Sequence, residues 1–209
     1  MTTPHGFWFL LAHGAGASST SAWMLRYRDL LAHIAPVVSF DYAYMAQGKK
    51  RPDPLPELVA QHRAALTRAA QLHGNQVVLI GKSMGGRVGC HLALTDQVLA
   101  VICLGYPLVG QGKRAALRDQ VLLDLKTPAL FIQGTRDPLC PLSLLRNVLQ
   151  ERTAPSELHV VESGDHSLTP TKTHLKQSGL TEADIERSSM KVIADFCGQL
   201  SARQAARAE

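Results

Sequence analysis

The chain has 209 residues, of which 45% are hydrophobic and 19% charged, and a formal net charge of +5. That is enough apolar sequence for one layered globular core, so one domain is expected over residues 1–200, followed by a polar tail over 201–209. The cationic residues are spread along the chain, and the only run, Lys49-Lys50-Arg51, has no aromatic residue interleaved with it, so nucleic acid is not an expected partner.

No segment approaches the roughly 18 consecutive apolar residues of a membrane span. The first apolar run, Phe7–Ala12, has no basic stretch before it and is too short for a secretory signal. A soluble, cytoplasmic protein without a membrane partner is expected. The four cysteines, Cys90, Cys103, Cys140 and Cys197, form no C-x-x-C pair; Cys90 and Cys103 lie in apolar patterns and are expected as buried free thiols, and Cys140, in a loop, is read as inert rather than as a reactive thiol.

Taken in order, Gly6–Ala12 reads as an apolar strand and Ser21–Ile34 as a helix, with Trp23, Leu30, Leu31 and Ile34 at helical spacing. Val37–Tyr42 reads as a strand. Leu55–His73 is the longest predicted helix, stopped by Gly74. Gln76–Ile80 is a strand and Met84–Leu94 a helix. Val98–Gly105 is an apolar strand, Ala115–Leu125 a short amphipathic segment, and Pro128–Gln133 another strand. Pro141–Glu151 begins with the proline that suits a first helical turn. Glu157–Glu162 alternates like a strand. Thr181–Leu200 is the closing helix, with Thr181 and Asp184 as a capping pair, and the polar residues from Ser201 are expected to fray. Ala43–Pro54 and Gly164–Gly179 read as irregular. Strands alternating with crossover-length helices predict an α/β fold: three layers around a doubly wound, mainly parallel sheet.

The most informative stretch is Val77-Val78-Leu79-Ile80-Gly81-Lys82-Ser83-Met84-Gly85-Gly86. A β-branched run stops at Gly81, and Ser83 sits between glycines two residues to either side. This is G-x-S-x-G, a strand, a tight turn and a helix that lift a serine hydroxyl above the sheet edge. Alone it is a weak signal, and two phosphate-loop readings compete for the same glycines. Gly81-Lys82-Ser83 resembles the end of a Walker A loop, but that motif needs a glycine at position 76, where this chain has Gln76. Gly14-Ala15-Gly16, followed by Ser19 and by Asp41 at the next strand end, approaches a dinucleotide fingerprint but lacks its third glycine.

The wider constellation favours the serine. Ser83, the His13-Gly14 pair, Asp137 and His166 all fall just past the carboxyl ends of predicted strands, where an open α/β sheet builds its site. A serine needs an imidazole to take its proton, and the imidazole needs a carboxylate to fix its tautomer. Ser83, His166 and Asp137 are the candidates for these roles. Ser83 as a plain helix cap and Asp137 as a turn residue are the competing readings. His174 is the rival to His166, and Asp165 is badly placed to bond the ring of its neighbour. Backbone N–H groups of Ala15 and Met84 are the candidates to meet an oxyanion, with His13 supporting their loop. No Cys/His cluster or H-E-x-x-H points to a metal, and no cofactor is expected.

His13-Gly14-Ala15-Gly16, Phe40-Asp41-Tyr42-Ala43-Tyr44-Met45, Gly81-Lys82-Ser83-Met84-Gly85-Gly86-Arg87 and Phe131-Ile132-Gln133-Gly134-Thr135-Arg136-Asp137-Pro138 together resemble the α/β-hydrolase superfamily over nearly the whole chain. More narrowly they resemble its small dienelactone-hydrolase-like group, which includes the testis-expressed and NSL-complex hydrolase-like domains. The resemblance implies a hydrolase with Ser83, Asp137 and His166 in the triad positions. It leaves the substrate open, and one branch of the group serves as a chromatin-complex subunit.

This chain is short for that fold, so a sheet of six or seven strands is expected, with no cap: the usual lid position is only Tyr106–Thr127. An open pocket suits a small-molecule ester or thioester. Lys82, Arg87 and Tyr44 are candidate substrate contacts, and with the Lys49–Arg51 run the two cations would favour an anionic group; solvated charges and a helix-packing Arg87 are the alternative. A hydrolase-fold module that binds a partner protein without turnover is the rival function, and a peptidase is weaker because nothing present selects peptides.

Overall fold

The computed structural model describes residues 6–110 and 116–208. Ala115, at the start of the predicted amphipathic segment, lies outside them. The elements run β1 Trp8–Ala12, α1 Ala22–Ala32, β2 Val37–Phe40, α2 Ala43–Ala46, α3 Leu55–His73, β3 Val77–Lys82, α4 Met84–Leu92, β4 Ala100–Leu104, α5 Gln120–Asp124, β5 Ala129–Gly134, α6 Leu142–Glu151, β6 Ser156–Val161, α7 Lys172–Ser178 and α8 Glu182–Ala208. The strands form one six-stranded sheet in the order β2-β1-β3-β4-β5-β6, with every pairing parallel.

Alternation along the strands builds the two outer layers. Phe9, Leu11, Val78, Ile80, Ile102, Leu130 and Ile132 face one side, where Met24, Tyr27 and Leu31 of α1 and Ile193, Phe196 and Leu200 of α8 cover them. Trp8, Leu10, Val77, Leu79, Val101, Cys103 and Phe131 face the other, against residues of α3 to α6 such as Ala69, Cys90, Leu122 and Leu145. Central strands buried on both faces need apolar residues at nearly every position, which is why β1 and β4 read as unbroken apolar runs.

The register brings the carboxyl ends of β1, β3 and β4 within one residue of level, since Ala12 pairs with Gly81 and Gly81 with Cys103, whereas β5 runs three residues beyond Phe131, the partner of Cys103, to end beside β6. The chain moves from β1 outward to β2, then returns to place β3 on the other flank of β1. That reversal opens a crevice beyond the strand ends.

Four stretches differ from the sequence reading. Ala43–Pro54 contains α2, and Gly164–Gly179 contains α7, whose N-cap Thr171 accepts a hydrogen bond from the His174 N–H. These helices are short, and their stability rests on caps and packing rather than on a visible apolar period. The helix within the predicted Ala115–Leu125 segment is shorter, Gln120–Asp124. The final helix runs through Ala208 instead of fraying after Leu200; its extension is rich in alanine, arginine and glutamine, which favour helix without needing contacts. Thr181 and Asp184 do form the expected reciprocal cap, with N–H bonds of 2.9 and 3.2 Å.

Arg152 was not singled out in the sequence. It closes α6 with 8% of its surface exposed, and its guanidinium donates to the carbonyls of Leu122 and Thr127 and to Ser156 Oγ. All four cysteines are buried. No described helix is long and apolar enough to cross a membrane.

Ile193 is fully buried where α8 meets the sheet. Ile193→Ala is expected to lower unfolding free energy by about 2–5 kcal/mol, measured as a shift in the urea midpoint at unchanged slope.

Candidate active site

Ser83 joins β3 to α4 in a conformation that side-chain-bearing residues rarely adopt, φ 50° and ψ −114°. Such strain persists only where the surroundings impose it. Here they do: the Ser83 N–H donates to the Leu104 carbonyl at 2.9 Å, and its own carbonyl accepts from Arg87 N–H at 3.1 Å. The flanking glycines are demanded by backbone approach. A Cβ at Gly81 would lie 2.2 Å from the Gly86 nitrogen, and one at Gly85 would lie 2.5 Å from the Ala12 carbonyl oxygen.

The loops after β5 and β6 bring the other two groups to this serine. His166 Nε2 lies 2.7 Å from Ser83 Oγ, and its Nδ1 lies 2.7 Å from Asp137 Oδ2. An ionised carboxylate only accepts, so the imidazole proton sits on Nδ1, and Nε2 is free to accept the Ser83 hydroxyl proton. Asp137 is 4% exposed. Burial acts to raise its carboxyl, but hydrogen bonds from His166, the Leu139 N–H and Gln133 outweigh it and hold the group below its ordinary value. Gln133 donates to Asp137 Oδ2 at 2.6 Å while its oxygen accepts from the Tyr106 N–H at 2.9 Å. Gln133 was quoted in the sequence only as part of a strand end; its placement opposite Asp137 depends on the turn between them.

Asp165 bonds its own loop, accepting from Ser167 N–H at 2.7 Å and Thr169 N–H at 3.1 Å. His174 lies on α7 outside the Ser83–His166–Asp137 relay.

The loop after β1 is held by a buried polar column. His13, fully buried, donates from Nδ1 to the Gly14 carbonyl at 2.6 Å and accepts the Tyr42 N–H on Nε2 at 3.1 Å. Desolvation lowers its pKa, opposed by the Gly14 carbonyl and Asp41, so it stands as a neutral imidazole. Tyr44 donates to the Ala15 carbonyl at 3.1 Å and approaches that of Gly14 at 3.4 Å. A trans peptide places its N–H opposite its carbonyl, so the contacts of His13 and Tyr44 with the Gly14 carbonyl turn the Ala15 N–H away from them, and Ala15 lines the cleft. Met84 opens α4, where the first N–H groups have no partner within the helix. Tyr42 continues the column to His62, whose Nδ1 lies 3.1 Å from the Tyr42 hydroxyl. Burial lowers His62 from 6.5 to about 3.

The cleft above Ser83 has a volume of about 510 Å³. The Gly14–Ala17 loop, Trp23, Met24, Leu139, Lys50 and Lys82 line it beside Ser83 and His166. Two expected substrate contacts do not. Tyr44 is fully buried beneath the Gly14–Ala15 peptide, and Arg87 sits one helical turn beyond Ser83, in the field of Arg118 rather than of the cleft. Of the basic run, only Lys50 reaches it. The dinucleotide reading fails for a local reason: the Ser19 N–H is taken by Asp41 at 2.7 Å, and α1 starts only at Ala22. Burial pushes the Cys140 thiol up to about 12, so it is not a nucleophile at neutral pH. No cluster of three or more His, Cys, Asp or Glu suited to a metal occurs among the described residues.

Gly85→Ala would drive a methyl group into backbone atoms of Ala12 and His13. It is expected to destabilise the protein by more than about 2 kcal/mol, seen as a lower melting temperature. A second expectation concerns pH. The unfolded chain protonates His62 near 6.5, whereas the folded chain resists down to about 3. Stability contributed by neutral His62 is therefore complete above about pH 6.5 and is lost progressively as pH falls toward the folded value. Urea melts between neutral and mildly acid pH should show this decline, and His62→Gln should flatten it.

A family model described as an alpha/beta hydrolase domain matches residues 6–198. Among solved structures, the chain is similar to DcsB in complex with its substrate analogue (TM-score 0.73, 12% identity, 93% of this chain and 90% of that one). It is also similar to Est1E of Butyrivibrio proteoclasticus with bound ferulic acid (TM-score 0.68, 14% identity, 93% and 89%). A third likeness is to a dienelactone hydrolase of Anabaena variabilis (TM-score 0.64, 18% identity, 90% and 83%). These identities speak to the fold, and with the family match over almost the full chain they place it: the protein belongs to the alpha/beta hydrolase domain family.

Proposed function

We propose that this protein is a serine hydrolase that cleaves a small ester or thioester through an acyl-enzyme. The observation that carries the reading is the unbroken relay from Ser83 through His166 to Asp137, opening on a cleft. In this reading Ser83 Oγ attacks the acyl carbon and its proton passes to His166 Nε2, while Asp137 stabilises the imidazolium. The carbonyl oxygen gains the displaced electron pair and is met by the N–H groups of Ala15 and Met84, with the N-terminus of α4 behind them. The imidazolium then gives its proton to the departing alcohol or thiol as that bond breaks. Water, deprotonated by the same imidazole, releases the acid and restores Ser83.

Lys50 and Lys82 line the cleft and no acidic residue among those described does, which supports an ester carrying a negative charge. The likeness to Est1E and to a dienelactone hydrolase is in keeping with ester chemistry.

A fluorophosphonate probe is expected to label the wild type and not Ser83→Ala, and His166→Ala should slow labelling by at least about 100-fold. Labelling of Ser83→Ala at the wild-type rate would sink the assignment. A wild type inert to both the probe and short p-nitrophenyl esters would instead favour the non-catalytic binding module. For substrate charge, Lys50→Met is expected to lower kcat/KM by about two- to fivefold for a hemisuccinate ester and to leave an acetate ester unchanged; equal effects on both would remove the preference.

A further inference from the structure

The loop that carries His166 is held from outside the relay by two side chains. Lys82 Nζ donates to the carbonyl of His166, and Trp23 Nε1 donates to the next carbonyl, that of Ser167, at 3.0 Å. Lys82 is the last residue of β3 and Trp23 sits in the first turn of α1. The two also meet: Nζ lies 5.4 Å from the centre of the Trp23 ring, which is stacked on Tyr27 at 3.8 Å.

We infer that Lys82 and Trp23 are positioning residues, a clamp on two consecutive carbonyls that sets where the His166 imidazole stands relative to Ser83. The inference rests on the reading of Ser83 and His166 as nucleophile and base. Asp137 fixes the ring from its far side, and Asp165 ties the loop to itself through the Ser167 and Thr169 N–H groups, but none of these bonds reaches the His166 carbonyl. Ser163 at φ 58° and Leu168 at φ 64° bracket His166 in the left-handed region, which is costly for residues with side chains. Lys82 closes a ring of contacts: it is bonded covalently to Ser83, Ser83 Oγ meets His166 Nε2, and Lys82 Nζ returns to the His166 carbonyl. Space for that return exists because residue 105 is glycine; a Cβ there would come within 2.7 Å of the His166 carbonyl oxygen and 3.4 Å of Nζ.

A largely desolvated ammonium is expensive, and an apolar side chain of the same length would fill the same volume more cheaply. Its retention beside Ser83 is what a positioning role requires. The charge also makes the clamp sensitive to pH. Burial lowers Lys82 from 10.5 to about 8, against the opposing fields of Asp137 and Asp165. The groups around it are Asp137 beyond β5, Asp165 and His166 beyond β6, and the Trp23 ring on α1, with Lys50 lining the same cleft. As pH rises through that value the charge is lost, and a charge-assisted hydrogen bond becomes a weaker neutral one.

The test compares wild type with Lys82→Met, Lys82→Arg and Trp23→Phe. It measures kcat and KM for p-nitrophenyl acetate from mildly acid to alkaline pH, melting temperature, and hydrogen exchange of the 164–170 peptide. Lys82→Met is expected to lower kcat about tenfold with KM little changed, and to lose the fall in wild-type activity above about pH 8. Lys82→Arg, which keeps a charged donor that does not titrate, should recover most of kcat while also lacking that fall. Trp23→Phe removes one donor and keeps the ring face, so a smaller loss of about threefold is expected. Unchanged kcat and an unchanged alkaline limb in Lys82→Met would overturn the clamp. If the wild type neither hydrolyses the ester nor reacts with a fluorophosphonate, the functional reading falls and exchange decides the clamp: faster exchange of 164–170 in Lys82→Met supports it, and an unchanged rate rejects it.

Discussion

The first turn of α4 lies against the carboxyl ends of β1 and β3 backbone to backbone, and the positions of the other groups in the cleft follow from that contact. Gly81 and Gly85 permit the approach, since any Cβ there would strike main-chain atoms of Gly86 or of Ala12 and His13. The approach forces Ser83 into its strained turn and leaves its hydroxyl within reach of His166. Three parallel strands, β1, β5 and β6, then deliver the loops of His13, Asp137 and His166 to the same edge of the sheet. A rigid sheet edge is the right support for such a set, because a shift of one strand by a single residue would turn every core side chain to the wrong face.

Two kinds of buried polar chemistry meet at the edge. On the β1 side, His13, Tyr42, His62 and Tyr44 form a neutral column that holds two consecutive carbonyls, those of Gly14 and Ala15. Burial keeps its imidazoles uncharged, so they act as hydrogen-bonding struts. On the β5 side, Asp137 stays ionised in an equally buried place because three donors converge on it. The contrast follows from surroundings: a carboxylate surrounded by N–H groups retains its charge, whereas desolvation keeps the second proton off the buried imidazoles, and His62 Nε2 has no hydrogen-bond partner among the described residues. Lys82 lies between these regimes, desolvated enough to be lowered toward neutrality and attracted from a distance by Asp137 and Asp165.

Much of this was legible in the chain. The strands at the sheet centre announced themselves as apolar runs because both their faces are covered. Ser83, Asp137 and His166 could be singled out because each follows a strand at short range, so a correct strand map already placed them on one edge. Tyr44 and Arg87 lie apart from the cleft lining for reasons the sequence did not show. Tyr44 belongs to α2, a helix too short to show a period, and it is buried with its hydroxyl against the Ala15 carbonyl. Arg87 follows Ser83 by one turn, but that turn carries it along the helix and out of the cleft. Trp23 read as a core residue of α1; nothing in its neighbours showed that its indole N–H would reach a loop 144 positions away.

By itself the sequence determined the layered parallel sheet and the strand ends at which chemistry would gather. Periodicity, punctuation by glycine and the G-x-S-x-G spacing are local properties, and they survive without knowledge of the fold. Only the tertiary structure decided which of the groups at that edge touch, which cations line the cleft, and which side chains hold the His166 loop. Those contacts join residues from 20 to more than 140 positions apart, and they depend on the angle at which loops leave the sheet, a quantity set by packing of whole elements and carried by no single stretch of chain.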